Sequence, residues 1–85
     1  LQSVYSSVRY PRKAASMGIE GIVFVEFTVN VHVEVVDPVV LRGIGGGCDE
    51  EAVRVLIETP FKPAVHEGAV VPARMSLPFK FQLSP

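Results

Sequence analysis

The chain has 85 residues, enough for one small domain and too few for two. Its formal net charge is -1, with the basic residues spread over the whole length, so there is no basic stripe for nucleic acid. Apolar residues make up 48% of the chain, which excludes a disordered polar tail, and no apolar run approaches the ~20 residues needed to span a bilayer.

Residues 1–9 lack a clear period and read as an N-terminal arm, ahead of a domain over 10–85. Leu1 to Tyr10 has neither a basic start nor an apolar run, so no secretory leader is expected there; the chain reads as a soluble piece of something longer. Tyr10-Pro11 opens a short helix, because proline suits a first helical turn, and Gly18 is its natural stop. Gly21 releases an alternating run in which Val23, Val25, Phe27 and Val29 share one face: a strand. A second strand is expected over about Glu34 to Leu41, with Pro38 marking an edge or a bulge.

Gly43 to Gly47 form a flexible connection. Asp49, Glu50 and Glu51 then suit a first helical turn, with Ala52, Val53 and Leu56 on one face, and Glu58-Thr59-Pro60 ends this second helix. Phe61 to Gly68 reads as a loop. From Val71 to Leu83 every second residue is apolar, which predicts a long last strand. The order helix, strand, strand, helix, strand predicts an α+β fold: a three-stranded antiparallel sheet with two helices on one face.

Few residues suggest chemistry. The glycine run lacks the spacing and the Lys-Ser/Thr of a phosphate loop, and the acids after it would repel phosphate. Cys48 is the single cysteine, so no internal disulfide forms; it stands near a helix start, but neither His32 nor His66 is placed by any motif to serve it. A small buried residue is the expected role. The same residues make no metal-ligand spacing. No catalytic residue, cofactor or metal is expected, and the chain is not read as an enzyme.

The landmarks Tyr10-Pro11, Gly18-Ile19-Glu20-Gly21, Pro60-Phe61-Lys62-Pro63, Gly68, Val71-Pro72 and Leu77-Pro78-Phe79-Lys80-Phe81 occur in a particular order and spacing. In this the chain resembles the TonB C-terminal domain family over about residues 8–83. The resemblance implies a periplasmic module of an energy transducer anchored in the inner membrane. Such a transducer works with ExbB and ExbD through a separate N-terminal region. It implies binding of the TonB box, a short extended peptide of outer-membrane transporters, by addition as a strand. It also implies that residues just before the Tyr-Pro pair, here Ser7, Val8 and Arg9, approach that peptide.

The last strand fits such a role. Pro72 and Pro78 share a parity, so their missing N–H groups fall on one side. The uninterrupted side is expected to pair inside the sheet, leaving Arg74, Ser76 and Lys80 to meet a partner. Four residues depart from the family's habit. Val33 stands where a turn glycine is expected, Val31 extends the apolar alternation, Ile57 replaces a charge, and Ala69 replaces a long polar residue. Ile22, Phe24, Val36 and Val40 add apolar groups to the outer sheet face. The alternative reading is therefore a self-assembling variant, natural or designed, with Val31, Val33, Ile57 and Ala69 in a homo-oligomer interface.

Overall fold

The computed structural model describes residues 8–83. Helix α1 spans Arg12–Ser16, with Pro11 as N-cap, where its absent N–H removes no helical bond. Ile19 N–H closes the far end on Ala14 O at 2.9 Å. Strand β1 spans Gly21–Val29, and its odd-numbered residues from Val23 onward are buried while the even-numbered ones are not. Strand β2 spans Val35–Arg42, helix α2 Cys48–Glu58, β3 Ala64–His66, β4 Ala69–Val71 and β5 Ala73–Phe81.

The main sheet is antiparallel in the order β2-β1-β5, as the sequence predicts. Its core is Val23, Val25, Phe27 and Val29 from β1, Phe79 and Phe81 from β5, Cys48, Ala52, Val55 and Leu56 from α2, and Ala14 from α1. Phe61 packs against this core, its ring centroid 5.3 Å from that of Phe27. Helix α1 closes on the glycine connection at Gly46. A Cβ there would stand 2.8 Å from Ile19 Cδ1 and 2.9 Å from Ala14 Cβ, so only glycine permits this approach.

Four details differ from the expectation. The helical face includes Val55, buried, whereas Val53 is only half-buried. The segment read as a loop and the start of the last strand is instead a small hairpin, β3 on β4, with Ala64 opposite Val71 and His66 opposite Ala69. Glu67 (φ 51) and Gly68 (φ 80) are both left-handed, as a two-residue type I′ turn requires. The break at Pro72 separates this hairpin from β5. Finally, Val40 faces inward opposite Val25, and Val39 takes the outer position opposite Glu26.

That last difference has a clear cause. Between Glu26 and Thr28 the partner residue moves from Val39 to Val36, three steps against two, so β2 carries an extra residue at Asp37-Pro38. Asp37 lies at φ 53 in this bulge. A second extra residue, Leu41, lies between the partners of Phe24 and Val25. Pro38 is thus both on an edge strand and in a bulge.

The β1–β2 turn is a three-residue loop, Val31 to Val33. Asn30 N–H donates to Glu34 O at 3.0 Å and Val33 N–H to Asn30 O at 2.9 Å. The Asn30 side-chain oxygen accepts from His32 N–H and Glu34 N–H. Such loops end on a left-handed residue, and Val33 fills that place at φ 60. A β-branched residue there costs about 1–2 kcal/mol. Its half-buried packing against the core offsets this in part. Val33→Gly is therefore expected to melt no lower than the parent, whereas Val35→Gly, in the strand itself, loses roughly 1–2 kcal/mol. Chemical denaturation of both variants tests this; equal losses would show that the side chain at 33 matters more than its backbone.

Candidate functional site

Asn30 N–H points at β2, because it donates to Glu34 O. Strand β1 pairs with β5 without a register shift, so backbone direction alternates regularly along it. Even-numbered residues of β1 therefore address β2 and odd-numbered ones address β5. Their partners Ala73, Met75, Leu77 and Phe79 turn their backbone groups into the sheet. Arg74, Ser76, Pro78 and Lys80 turn theirs outward. Pro78, opposite Phe24, thus costs the β1–β5 ladder no bond. Among the described residues no strand pairs with this outer side of β5.

The two edges of the sheet are unlike. The β2 edge is bent by its two bulges and contains Pro38. The β5 edge runs without a bulge over Ala73–Phe81, and Pro78 is its one gap in donors. A regular edge is a template for an added strand; a bulged one is not.

The side chains of β5 divide by task. The Arg74 guanidinium lies across its own sheet, donating to Glu26 Oε1 and Thr28 Oγ1, each at 2.9 Å, and to Asp37 O at 3.4 Å. Only its backbone remains directed at the edge. Ser76 and Lys80 are exposed on the outer face. Arg74 and Lys80 stand six residues apart, roughly 20 Å along an extended strand.

Of the arm residues expected near a peptide, Ser7 lies outside the described residues. Val8 is half-buried against the core, and Arg9 N–H donates to Glu51 Oε2 at 2.7 Å. Tyr10 follows, its hydroxyl donating to Ile19 O and its ring meeting Phe81 edge-on at 5.6 Å. These contacts bring residues 8–10 to the Phe81 end of β5. They do not bring them to Arg74.

Glu51 is the residue that sequence reasoning undervalued, taking it as a solvated first-turn acid. It also accepts from Arg54 Nε at 2.9 Å and Nη2 at 2.7 Å. Its carboxyl is held below the ordinary glutamate range, most of all by the Arg54 hydrogen bond; burial opposes this, and the Arg9 backbone bond and the charges of Arg54 and Arg9 add to the lowering. The only sequence signal was the i, i+3 spacing to Arg54.

The four residues considered for self-association separate. Val31 and Ile57 are well exposed, at 46% and 59%, and Ala69 is exposed in the small hairpin. Val33 instead packs partly against the chain's own core. Cys48 is fully buried, and burial, then Asp49, Glu50 and Glu51, push its thiol pKa up, the reverse of an activated thiolate. Among the described residues no three His, Cys, Asp or Glu side chains cluster to hold a metal ion, and no helix is long and apolar enough to cross a membrane.

Comparison with known families settles the relationship. The family model described as "Gram-negative bacterial TonB protein C-terminal" matches residues 6–83. The chain belongs to the TonB C-terminal domain family. A solution structure of the Helicobacter pylori TonB C-terminal domain (residues 194–285) superposes with a TM-score of 0.68 at 26% identity, covering 99% of this chain and 89% of that one. Comparison with curated proteins gives no match. TonB C-terminal domains are non-enzymatic, periplasmic parts of energy transducers, and membership implies a role in TonB-type energy transduction with outer-membrane transporters as partners.

The Glu51 tether yields a prediction. A carboxylate whose folded pKa is depressed adds stability above its unfolded pKa, and that stability is lost as pH falls through the folded value. Glu51→Gln is expected to cost about 1–2 kcal/mol at neutral pH and to flatten the loss of stability below the ordinary glutamate range. Urea denaturation from pH 7 downward tests it; an unchanged pH profile would contradict it.

Proposed function

We propose that this TonB domain captures the TonB box of an outer-membrane transporter by adding it as a fourth strand beside β5. It would do so in the periplasm, as the receptor-facing end of a transducer that ExbB and ExbD drive. The observation that carries the reading is the unbulged β5 edge, with the backbone of Arg74, Ser76 and Lys80 turned outward. The Tyr10 ring meets Phe81 at the far end of the same strand, so Val8 and Arg9 would come near a peptide only at that end.

Main-chain bonds would carry much of the affinity. Each is worth about 0.5–1.5 kcal/mol net, so binding would be moderate and tolerant of peptide sequence. Ser76→Pro removes the central outward donor while leaving the β1–β5 ladder intact, as Pro78 already does two residues on. It is expected to weaken binding of a synthetic TonB-box peptide roughly fivefold to tenfold. Calorimetric titration of the folded variant checks this; unchanged affinity would remove the edge from the account.

A second reading is self-assembly through apolar surface, favoured by the exposure of Val31 and Ile57. It predicts a mass that rises with concentration and falls back to the monomer in Ile57→Glu. Light scattering over a wide concentration range decides it, and a constant monomeric mass would dismiss it.

A further inference from the structure

The apolar residues of β2 suit a straighter path than the one the strand takes. Its partners run from Val35 opposite Val29 and Val36 opposite Thr28 to Val39 opposite Glu26, Val40 opposite Val25 and Arg42 opposite Phe24. Continued one for one from Val36 and Thr28, the pairing would instead set Asp37 against Phe27, Pro38 against Glu26, Val39 against Val25 and Leu41 against Val23. Partners of the odd-numbered β1 residues face the core. The straight register would therefore bury Val39 and Leu41, which now stand 46% and 56% exposed. Val35 faces inward either way. Apolar area alone favours the straight strand.

Two adjacent residues forbid it. Asp37 would bring its carboxylate against Phe27, which is fully buried, and an unpaired charge there is costly. The residue opposite Glu26 must also give an N–H to the β1–β2 ladder, and Pro38 has none. The extra residue at Asp37-Pro38 removes both conflicts. It leaves Asp37 exposed, and it sets Val39 opposite Glu26 in place of Pro38. Asp37 takes φ 53 to do so, a left-handed value that aspartate adopts more readily than most residues. Arg74 reaches the Asp37 carbonyl from across the sheet, while Glu26 and Thr28 hold its guanidinium in place. The second bulge, at Leu41, returns Arg42 to the outer face.

We propose that Asp37-Pro38 is a register lock that closes the β2 edge and leaves the domain one edge for strand pairing. Without the lock β2 runs straight and becomes a second docking edge for the same extended peptide. The backbone turned outward on that edge would be that of positions 35, 37, 39 and 41, none of them proline. The register is independent of the strand-addition reading above; its consequence for docking rests on that reading.

The test compares the parent with the double variant Asp37→Val/Pro38→Thr, which removes both obstacles. Nuclear magnetic resonance reads the register, because Cα atoms of a non-hydrogen-bonded antiparallel pair approach to about 4.5 Å and their Hα atoms give a cross-strand contact. The parent should show Val40 against Val25. The double variant should show Val39 against Val25 and Leu41 against Val23. By urea denaturation, Leu41→Ser should lower the folded-to-unfolded ratio about twofold or less in the parent and about tenfold in the double variant. In calorimetric titration with a synthetic TonB-box peptide the stoichiometry should double, and adding Ser76→Pro should weaken one site and spare the other.

A double variant that keeps Val40 against Val25, with Leu41→Ser equally harmless in both backgrounds, would overturn the lock. Loss of its folded circular dichroism signal would do the same, since a straight β2 must fit the same core. A straight register with unchanged stoichiometry would overturn the closing of a docking edge. A peptide that binds neither protein would remove strand addition, and the cross-strand contacts would still decide the lock by themselves.

Discussion

Nine residues of β1 pair one-to-one with nine of β5, with no bulge between them. This ladder fixes two things together. It sets Val23, Val25, Phe27 and Val29 against the helices beside Phe79 and Phe81, forming most of the core. It also fixes which backbone groups of β5 look out of the sheet. Because side-chain direction and hydrogen-bond direction both alternate with period two, a slip of one residue would expose the core and turn Pro78 into the ladder together. Burial therefore holds the register, and the register defines the edge.

The other edge shows how the same physics closes a strand to partners. Strand β2 is two bulges away from regularity, one of them at Asp37-Pro38, and Arg74 reaches across the sheet to the carbonyl of Asp37. Bulges and proline are common ways of blunting an edge. On β5 a proline occurs too, but at a position whose donor the sheet never needed. The asymmetry makes β5 the regular edge of the sheet and β2 the irregular one. Arg9 is held on α2 by Glu51, and the Tyr10 ring meets Phe81 at the end of β5.

Much of this was legible in the residues. The strict alternation of β1 and β5 predicts both strands and their buried faces, and the shared parity of Pro72 and Pro78 predicts which side of β5 pairs inward. What escaped has physical reasons. Strands β3 and β4 have three residues each, too few for a period to emerge, and Glu67-Gly68 is a weaker turn signal than Asn-Gly. Val39 and Val40 exchange faces because a bulge shifts parity, and an edge proline signals a bulge without locating the extra residue. Glu51 reads as one of three equivalent acids until the arm is seen to land on it. The side chain of Arg74 reads as outward-reaching until Glu26 and Thr28 are brought beside it by strand pairing.

Hydrogen exchange along β5 tests the central claim most directly. In the domain alone, the amides of Met75, Leu77 and Phe79 should exchange slowly and those of Arg74, Ser76 and Lys80 quickly. Saturation with a TonB-box peptide should slow the even-numbered set while leaving β2 unchanged. New protection on β2, or none on Arg74, Ser76 and Lys80 under saturating peptide, would contradict the assignment of this edge as the docking strand.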